Sequence, residues 1–303
     1  MQNYISHFFT YYFVYELPGW GFLYKHIIGD ENRNERWKNA GPRVFKNKQN
    51  GLYYVANLQE WSDRLAFFLR RWWDLSATQL IDRFVKQGDC VIDIGANYGH
   101  FTLAASKKAG ADGRIIAFEP SPVNFARLAV NCDLNHLQNV TMHSVALSDT
   151  PGNMVLSVPR ANSGEATLAN SKYASDEVDV YNVDVCVGDV LLADVQPDYI
   201  KIDVEGFEPY VVRGLESLLR KHLPILMTEV VTDHLARAGE TPQTLNDFLS
   251  SIGYEAFSTT LQRRGWKQHT ALVSWSAQTH TDDVDVIWIP KDRVAEFRDI
   301  IEQ

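Results

Sequence analysis

From Gly88 onward, short apolar runs alternate with stretches of helical spacing, and this alternation restricts the fold more than any other feature of the chain. Residues 90–94 (CVIDI) read as a strand, 98–109 as a helix stopped by Gly110, and 114–118 as a second strand. Ser121-Pro122 opens a helix that runs to Leu134, with serine at the cap and proline in the first turn. Residues 140–147 read as a third strand, and 199–203, 225–230 and 285–289 as later ones. Helical spacing over 75–85, 209–221 and from Thr241-Pro242 onward supplies further helices. Such a pattern implies βαβ units, hence a mostly parallel sheet with helices on both faces. In sheets of this kind ligands bind beyond the carboxyl ends of the strands, beside the point where strand order reverses. The candidate functional residues are therefore those that directly follow strands.

The rhythm breaks at residues 150–197. Within that interval 154–158 and 178–187 alternate like exposed or edge strands, around a loop containing Asn162-Ser163-Gly164. This reads as a strand-rich insertion in a domain of residues 51–303, preceded by an aromatic-rich extension of residues 1–50. The run from Tyr4 to Tyr15 (YISHFFTYYFVY) is almost wholly apolar or aromatic, and the first positive charge is Lys25. No basic stretch of the secretory kind precedes it, and about a dozen residues fall short of the ~20 that span a membrane. Packing on its own domain or on a second subunit is the expectation. Membrane-surface contact through residues 1–28 is the alternative, because aromatic rings with polar tips suit that interface.

A net charge of −9 counts against nucleic acid as the partner. The three cysteines, Cys90, Cys132 and Cys186, are far apart and form no CxxC pair. They fit a reducing compartment and argue against a disulfide framework or a thiolate zinc site. The expected location is the cytoplasm, peripheral to a membrane if the extension binds one.

The chemistry begins at residues 91–99, VIDIGANYG, where a strand ends in a glycine turn that opens a helix. Gly95 leaves no side chain between the turn and a ligand, and Gly99 lets the helix pack closely. Asn97 tolerates left-handed backbone angles better than most residues. The spacing is not the G-x-G-x-x-G of a dinucleotide turn, and Asp93 just before it would repel a phosphate and favour a cationic ligand. No Walker-type Gly-Lys-Ser/Thr follows. Glu119 ends the next strand in FEPSP, where an acidic side chain can accept both hydroxyls of a ribose. A ligand with a nucleoside end, a cationic end and no pyrophosphate has the properties of S-adenosylmethionine.

At this point the chain resembles the FkbM-type S-adenosylmethionine-dependent methyltransferases. The resemblance is carried by DIGANYGHFT, AFEPSP, SVALSD, YIKIDVEGFEPYVVRG and PILMTEV in that order, and it is densest from Gly88 to Val230. It implies a class I methyltransferase, Rossmann-like α/β fold: a seven-stranded, mostly parallel sheet with an antiparallel last strand. It also implies O-methylation, on a sugar, a glycan precursor or a secondary metabolite. Carried over by position, Asp93, Gly95, Asn97 and Tyr98 are expected at the methionine end of the cofactor and Glu119 at the ribose. Ser121 and Asn124 are weaker candidates. Ser144 and Ala146 are expected to flank the adenine, with its amino group met by backbone or by Asp149.

Methyl transfer is an in-line displacement in which alignment of the reactants supplies much of the rate. An alcohol is a poor nucleophile, so a base or a metal must help to remove its proton. Asp203 ends a strand in IKIDVEG, Glu205 follows two residues on, Gly206 permits a sharp turn, and Glu229 ends the neighbouring strand. The three carboxylates are expected to converge. Repulsion among them would raise one toward the range useful for a base. A divalent ion on Asp203 and Glu229 is the less favoured arrangement. Glu205 and Glu229 accepting backbone amides, or pairing with Lys201 and Arg213, is the purely structural alternative. His100 is expected to pack rather than react, its pKa lowered by the helix N-terminus. His143, His222 and His234 show no metal-ligand spacing and are expected to serve locally. Trp72 and Trp73 either pack in the core or cover the site. Two rivals remain: a non-catalytic nucleoside-binding scaffold at a membrane surface, and an NAD-dependent oxidoreductase.

Overall fold

The structure, a computed structural model, describes residues 11–29, 34–264, 267–278 and 284–301. A hairpin of β1 (Arg43–Lys46) and β2 (Tyr53–Ala56) is followed by helices α1 (Trp61–Leu69) and α2 (Leu75–Phe84). Then come β3 (Cys90–Ile94), α3 (His100–Ala109), β4 (Arg114–Phe118), α4 (Pro122–Leu134) and β5 (Val140–His143). A separate three-stranded sheet holds β6 (Ala146–Ser148), β7 (Gly152–Pro159) and β8 (Val178–Val187). The main sheet resumes with β9 (Tyr199–Ile202), helices α5 (Glu208–Gly214) and α6 (Glu216–His222), and β10 (Ile225–Val230). Helices α7 (Thr232–Arg237) and α8 (Pro242–Ser251) lead to β11 (Tyr254–Arg264), β12 (Lys267–Ser274) and β13 (Val284–Pro290).

The main sheet has eight strands in the order β12-β11-β13-β10-β9-β3-β4-β5. Strands β3, β4, β5, β9 and β10 run parallel, and β13 is antiparallel to both β10 and β11. This is the expected Rossmann-like class I methyltransferase sheet with its antiparallel last strand. It differs from the expected seven strands by one, because β12 is added antiparallel to β11 at the edge. Both strands of that hairpin carry polar and charged residues (TTLQRR, KQHT), the composition edge strands use against further pairing, so neither shows the apolar signature of a core strand.

Two other differences have local causes. The third strand ends at His143; the chain leaves the main sheet at Ser144, and Ala146 pairs with Val185 in the smaller sheet. The expected helix over 209–221 is two helices that break at Leu215 (φ −111°). A Cβ on Gly214 would lie 2.1 Å from the Ser148 carbonyl oxygen, so the end of α5 is pressed onto β6.

Both faces of the main sheet are covered, as continuous apolar strands require. On one face Ile92, Ile94, Ile200 and Ile202 pack against Val211, Val212, Leu215, Leu245 and Leu249 from α5 to α8. On the other, Val91, Tyr199 and Met227 meet Leu80, Ile81 and Phe84 of α2 and Phe101 and Ala105 of α3. Asp74 caps α2, Ser121 caps α4 and Thr241 caps α8, each through a side-chain oxygen accepting a first-turn amide.

Of the run Tyr4 to Tyr15, residues 4–10 lie outside the described residues. The part that is described packs on the domain: Phe13 is wholly buried, with edge-on contacts to Tyr24 and Phe68. Glu16 makes a 2.8 Å ion pair with buried Arg71 and another with Lys48. Tyr11, Tyr15 and Phe22 stay exposed. The β1–β2 hairpin joins the two sides of the expected boundary at residue 50. Among the described residues no helix is long and apolar enough to cross a membrane.

Candidate active site

Strand order reverses between β3 and β9, and a cleft of about 650 Å³ opens at the carboxyl ends of the strands there. Gly95 sits at its floor with φ +79°, and a Cβ there would lie 1.8 Å from the Asp203 carbonyl oxygen. The glycine is thus imposed by the backbone arriving at the end of β9, and not only by a ligand. Asn97 is left-handed (φ 51°) and its Oδ1 accepts from the Tyr98 amide at 2.8 Å. A Cβ on Gly99 would meet Leu128 at 2.5 Å, so close packing of α3 and α4 depends on it.

Asp93 lies wholly buried behind the turn. One of its oxygens accepts from the Thr102 hydroxyl; the other has no hydrogen-bond partner and is 3.7 Å from Lys201 Nζ. Burial pushes its carboxyl up, opposed by the Lys201 ammonium. Lys201 also pairs with Asp203 at 3.0 Å and donates to the Gly95 carbonyl at 3.3 Å. Burial alone would lower the lysine, but Asp203 and Asp93 together hold it above its usual value.

Glu119 ends β4, buried, with Oε2 accepting from the Asn97 amide at 2.7 Å and Oε1 from the Ser121 amide at 2.8 Å. Burial pushes its carboxyl up to about 7 against those two amides. Each oxygen keeps a lone pair toward the cleft that it lines. Beside it, Asn124 donates to the Ser163 carbonyl of the insertion at 2.9 Å, while its buried Oδ1 has no partner. Arg127 stacks 4.1 Å over the Tyr98 ring and makes ion pairs with Glu60 and Asp63 of the α1 region. Trp61, Trp72 and Trp73 form an aromatic wall.

The opposite end is built from the turn after β9. Glu205 is left-handed (φ 56°), a conformation that costs a side-chain-bearing residue about 1 kcal/mol. The carboxylate of buried Glu208 braces the turn by accepting from the amides of Val204 (2.9 Å) and Gly206 (3.3 Å). A Cβ on Gly206 would lie 2.3 Å from the His234 carbonyl oxygen, so the absence of a side chain lets α7 close on the turn. His234 Nδ1 then lies 2.8 Å from Glu205 and 3.7 Å from Glu229. Burial, with Asp203 nearby, pushes Glu229 well above the usual carboxylate range, and burial raises Glu205 as well. The proximity of Glu205 and then Glu229 pushes His234 up to about 10. Asp285 of β13 stands opposite Glu229 in register, with its buried carboxyl pushed up to about 8. Seven carboxyl-bearing residues line the cleft, Asp74, Asp203 and Asp285 among them, against Lys172, Lys201 and the raised His234. Such a surface attracts a cation and repels a phosphate.

A family model described as the methyltransferase FkbM domain matches residues 93–256. The chain belongs to this FkbM methyltransferase family. It is 27% identical over 200 residues to Methyltransferase 1 of Beauveria bassiana, covering 58% of this chain and 75% of the relative. It is 26% identical over 184 residues to the hexuronic acid methyltransferase AglP of Haloferax volcanii, covering 59% and 68%. The crystal structure of Methyltransferase FkbM from Methylobacillus flagellatus KT gives a TM-score of 0.42 at 16% identity, covering 76% of this chain and 54% of that one.

In this FkbM methyltransferase, Gly95, Asn97, Tyr98, Glu119, Ala146, Asp203, Glu205 and Glu229 all line one cleft. Four expected residues do not. Asp93 lies behind the turn, Ser121 is a fully buried helix cap, and Ser144 is exposed where the chain leaves β5, so Val145 and Ala146 line the wall instead. Asp149 pairs with Arg213 at 2.9 Å and does not line the cleft. Arg213 is therefore not the partner of Glu205 or Glu229, and Lys201 serves Asp203 and Asp93. His100 packs between Trp72 and Tyr54, and burial rather than the helix end lowers it most, to about 3. His234 is brought into the site with Glu205 and Glu229, contrary to the local role expected of it. Its position depends on the Gly206 contact, which no spacing in the sequence reports. Asp74 and Asp285 were likewise not singled out, since only strand pairing and the cap of α2 bring them to the cleft.

Proposed function

We propose that the chain transfers a methyl group from S-adenosylmethionine to a hydroxyl of a sugar, a glycan precursor or a secondary metabolite. The observation that carries this reading is the convergence of Asp203, Glu205 and Glu229 at one end of the cleft whose other end holds Glu119. The residues fit the cofactor: the Glu119 carboxylate retains lone pairs for two ribose hydroxyls, Asn124 Oδ1 is an unpaired buried acceptor, and the acidic wall suits a ligand bearing ammonium and sulfonium charge. S-adenosylmethionine, when bound, supplies a methyl group already activated by its sulfonium. Gly95, Asn97 and Tyr98 would hold its methionine end, Val145 and Ala146 would flank the adenine, and Ser121 would act indirectly by orienting Glu119.

The protein's own work is to align the acceptor and remove its proton. Asp203 is the favoured base. It is the most accessible of the three carboxylates, and the ammonium of Lys201 fixes its orientation. The insertion and the tryptophan wall would shape the acceptor pocket. The hexuronic acid named for the Haloferax relative makes uronic acids and their glycans the first acceptors to try.

The test is calorimetric titration with S-adenosylmethionine and S-adenosylhomocysteine, with NAD as control. Micromolar binding of the two adenosyl ligands alone is expected, and transfer of labelled methyl to a hydroxylated acceptor should follow. Binding of NAD in their place would revive the oxidoreductase. Cofactor binding without transfer to any acceptor would favour the scaffold.

A further inference from the structure

Three donor atoms meet at the acceptor end of the cleft. A carboxylate oxygen from each of Glu205 and Glu229 and a ring nitrogen of His234 all lie within 4.8 Å of one another. Each side chain is held by a different element: the braced turn after β9, the end of β10, and α7. The relation between the imidazole and its nearest neighbour is unusual. Nδ1 is 2.8 Å from the Glu205 oxygen, hydrogen-bond length, yet this buried nitrogen makes no hydrogen bond of acceptable angle. An imidazolium acting as a simple counter-ion would aim its N–H at the carboxylate. Here that nitrogen is left without such a bond although carboxylate oxygens of both Glu205 and Glu229 lie close by. The nearby basic side chains are engaged elsewhere: Lys201 by Asp203 and Asp93, Arg213 by Asp149 and Glu240.

We propose that Glu205, Glu229 and His234 form a binding site for one divalent first-row metal ion, with Mn²⁺ its best match. Two carboxylates suit a hard ion, whereas an imidazole nitrogen favours a transition metal over Mg²⁺ or Ca²⁺. Three protein ligands leave coordination positions open to the cleft. The inference rests on the methyltransferase reading above and deepens it, because those open positions lie where the acceptor hydroxyl would bind. A coordinated hydroxyl is more acidic, and its proton would pass to the Asp203 carboxylate in the same cleft. The ligand set differs from the one expected from sequence: Asp203 is held by Lys201 and is not a ligand, and His234 takes its place.

The test uses the full chain, freed of metal by a chelator, titrated with Mn²⁺ while electron paramagnetic resonance follows the free ion. One ion per chain is expected, displaced by Zn²⁺ and poorly by Mg²⁺. His234→Ala and Glu205→Gln should each weaken Mn²⁺ binding by at least about tenfold while S-adenosylmethionine affinity, measured on the same samples, changes by far less. Glu229→Gln replaces either variant that fails to fold. Absence of stoichiometric Mn²⁺ or Zn²⁺ binding, or equal binding by wild type and variants, overturns the proposal and leaves His234 as a counter-cation. Retained cofactor binding with no metal binding defeats this inference alone, whereas metal binding without cofactor binding defeats the functional reading instead.

Discussion

The two ends of the cleft hold their acidic groups in opposite ways. At the end of β4, Glu119 has one backbone amide on each oxygen, and behind the turn Asp93 is held by Thr102 and Lys201. At the ends of β9 and β10, Glu205 and Glu229 face each other across His234, with no amide donor to either among the described contacts. Buried carboxylates satisfied by fixed donors are rigid and ready to receive a ligand. Carboxylates facing one another are destabilised until a proton, a metal or a substrate joins them. The same residue type is thus held by fixed donors at one end and left facing its own kind at the other, the division that the proposed recognition and reaction roles require.

The sharpest way to break this comparison is Asp203→Asn. The amide keeps shape but cannot take a proton, so kcat should fall by about 100-fold or more with cofactor affinity nearly unchanged. Full activity in that variant would remove Asp203 from the chemistry. Gly95→Ala attacks the joint between the ends, because its Cβ would enter the Asp203 carbonyl at 1.8 Å. Denaturant unfolding should show a loss of about 2–3 kcal/mol; a near-neutral result would mean that the two strand ends are not tightly joined.

Smaller effects belong to Glu119. Glu119→Ala should weaken cofactor binding by more than about tenfold while leaving Mn²⁺ binding intact. In the proposed cofactor complex the ionised form accepts the ribose hydroxyls, and burial pushes the carboxyl up to about 7 in the free protein. Cofactor affinity should therefore rise as pH climbs through 7 and level off above it, with a deficit of about tenfold one unit below. The sign for stability is opposite. A carboxyl raised from 4.5 to about 7 binds more protons when folded, so its contribution is present at low pH and fades as pH rises through 7. Calorimetry across pH checks the first statement, and a flat profile would mean that Glu119 is already ionised or makes no ribose contact.

Much of the Glu119 end was legible because its parts are contiguous. The strand, the glycine turn and the helix start lie within residues 90–100, and Glu119 closes the next strand, so pattern and spacing suffice. The Asp203 end was legible only in part. Asp203 and Glu229 stood out because they end strands, and Glu205 because it follows in the same turn, whereas His234, Asp74 and Asp285 lie where only tertiary contacts bring them in. Ser144 was misplaced for a related reason: its apolar neighbours extend the strand pattern past the point where β6 finds a better partner in β8.

The sequence by itself determined the alternating architecture, the glycine turn at the floor of the cleft and the acidic residues at or just after the strand ends, since each follows from local periodicity and backbone preference. Tertiary structure alone decided which acids are paired, which face one another and which histidine joins them. Those outcomes depend on how closely separate segments approach, and that is set by the missing side chains of Gly95 and Gly206 against backbone more than a turn away in the chain.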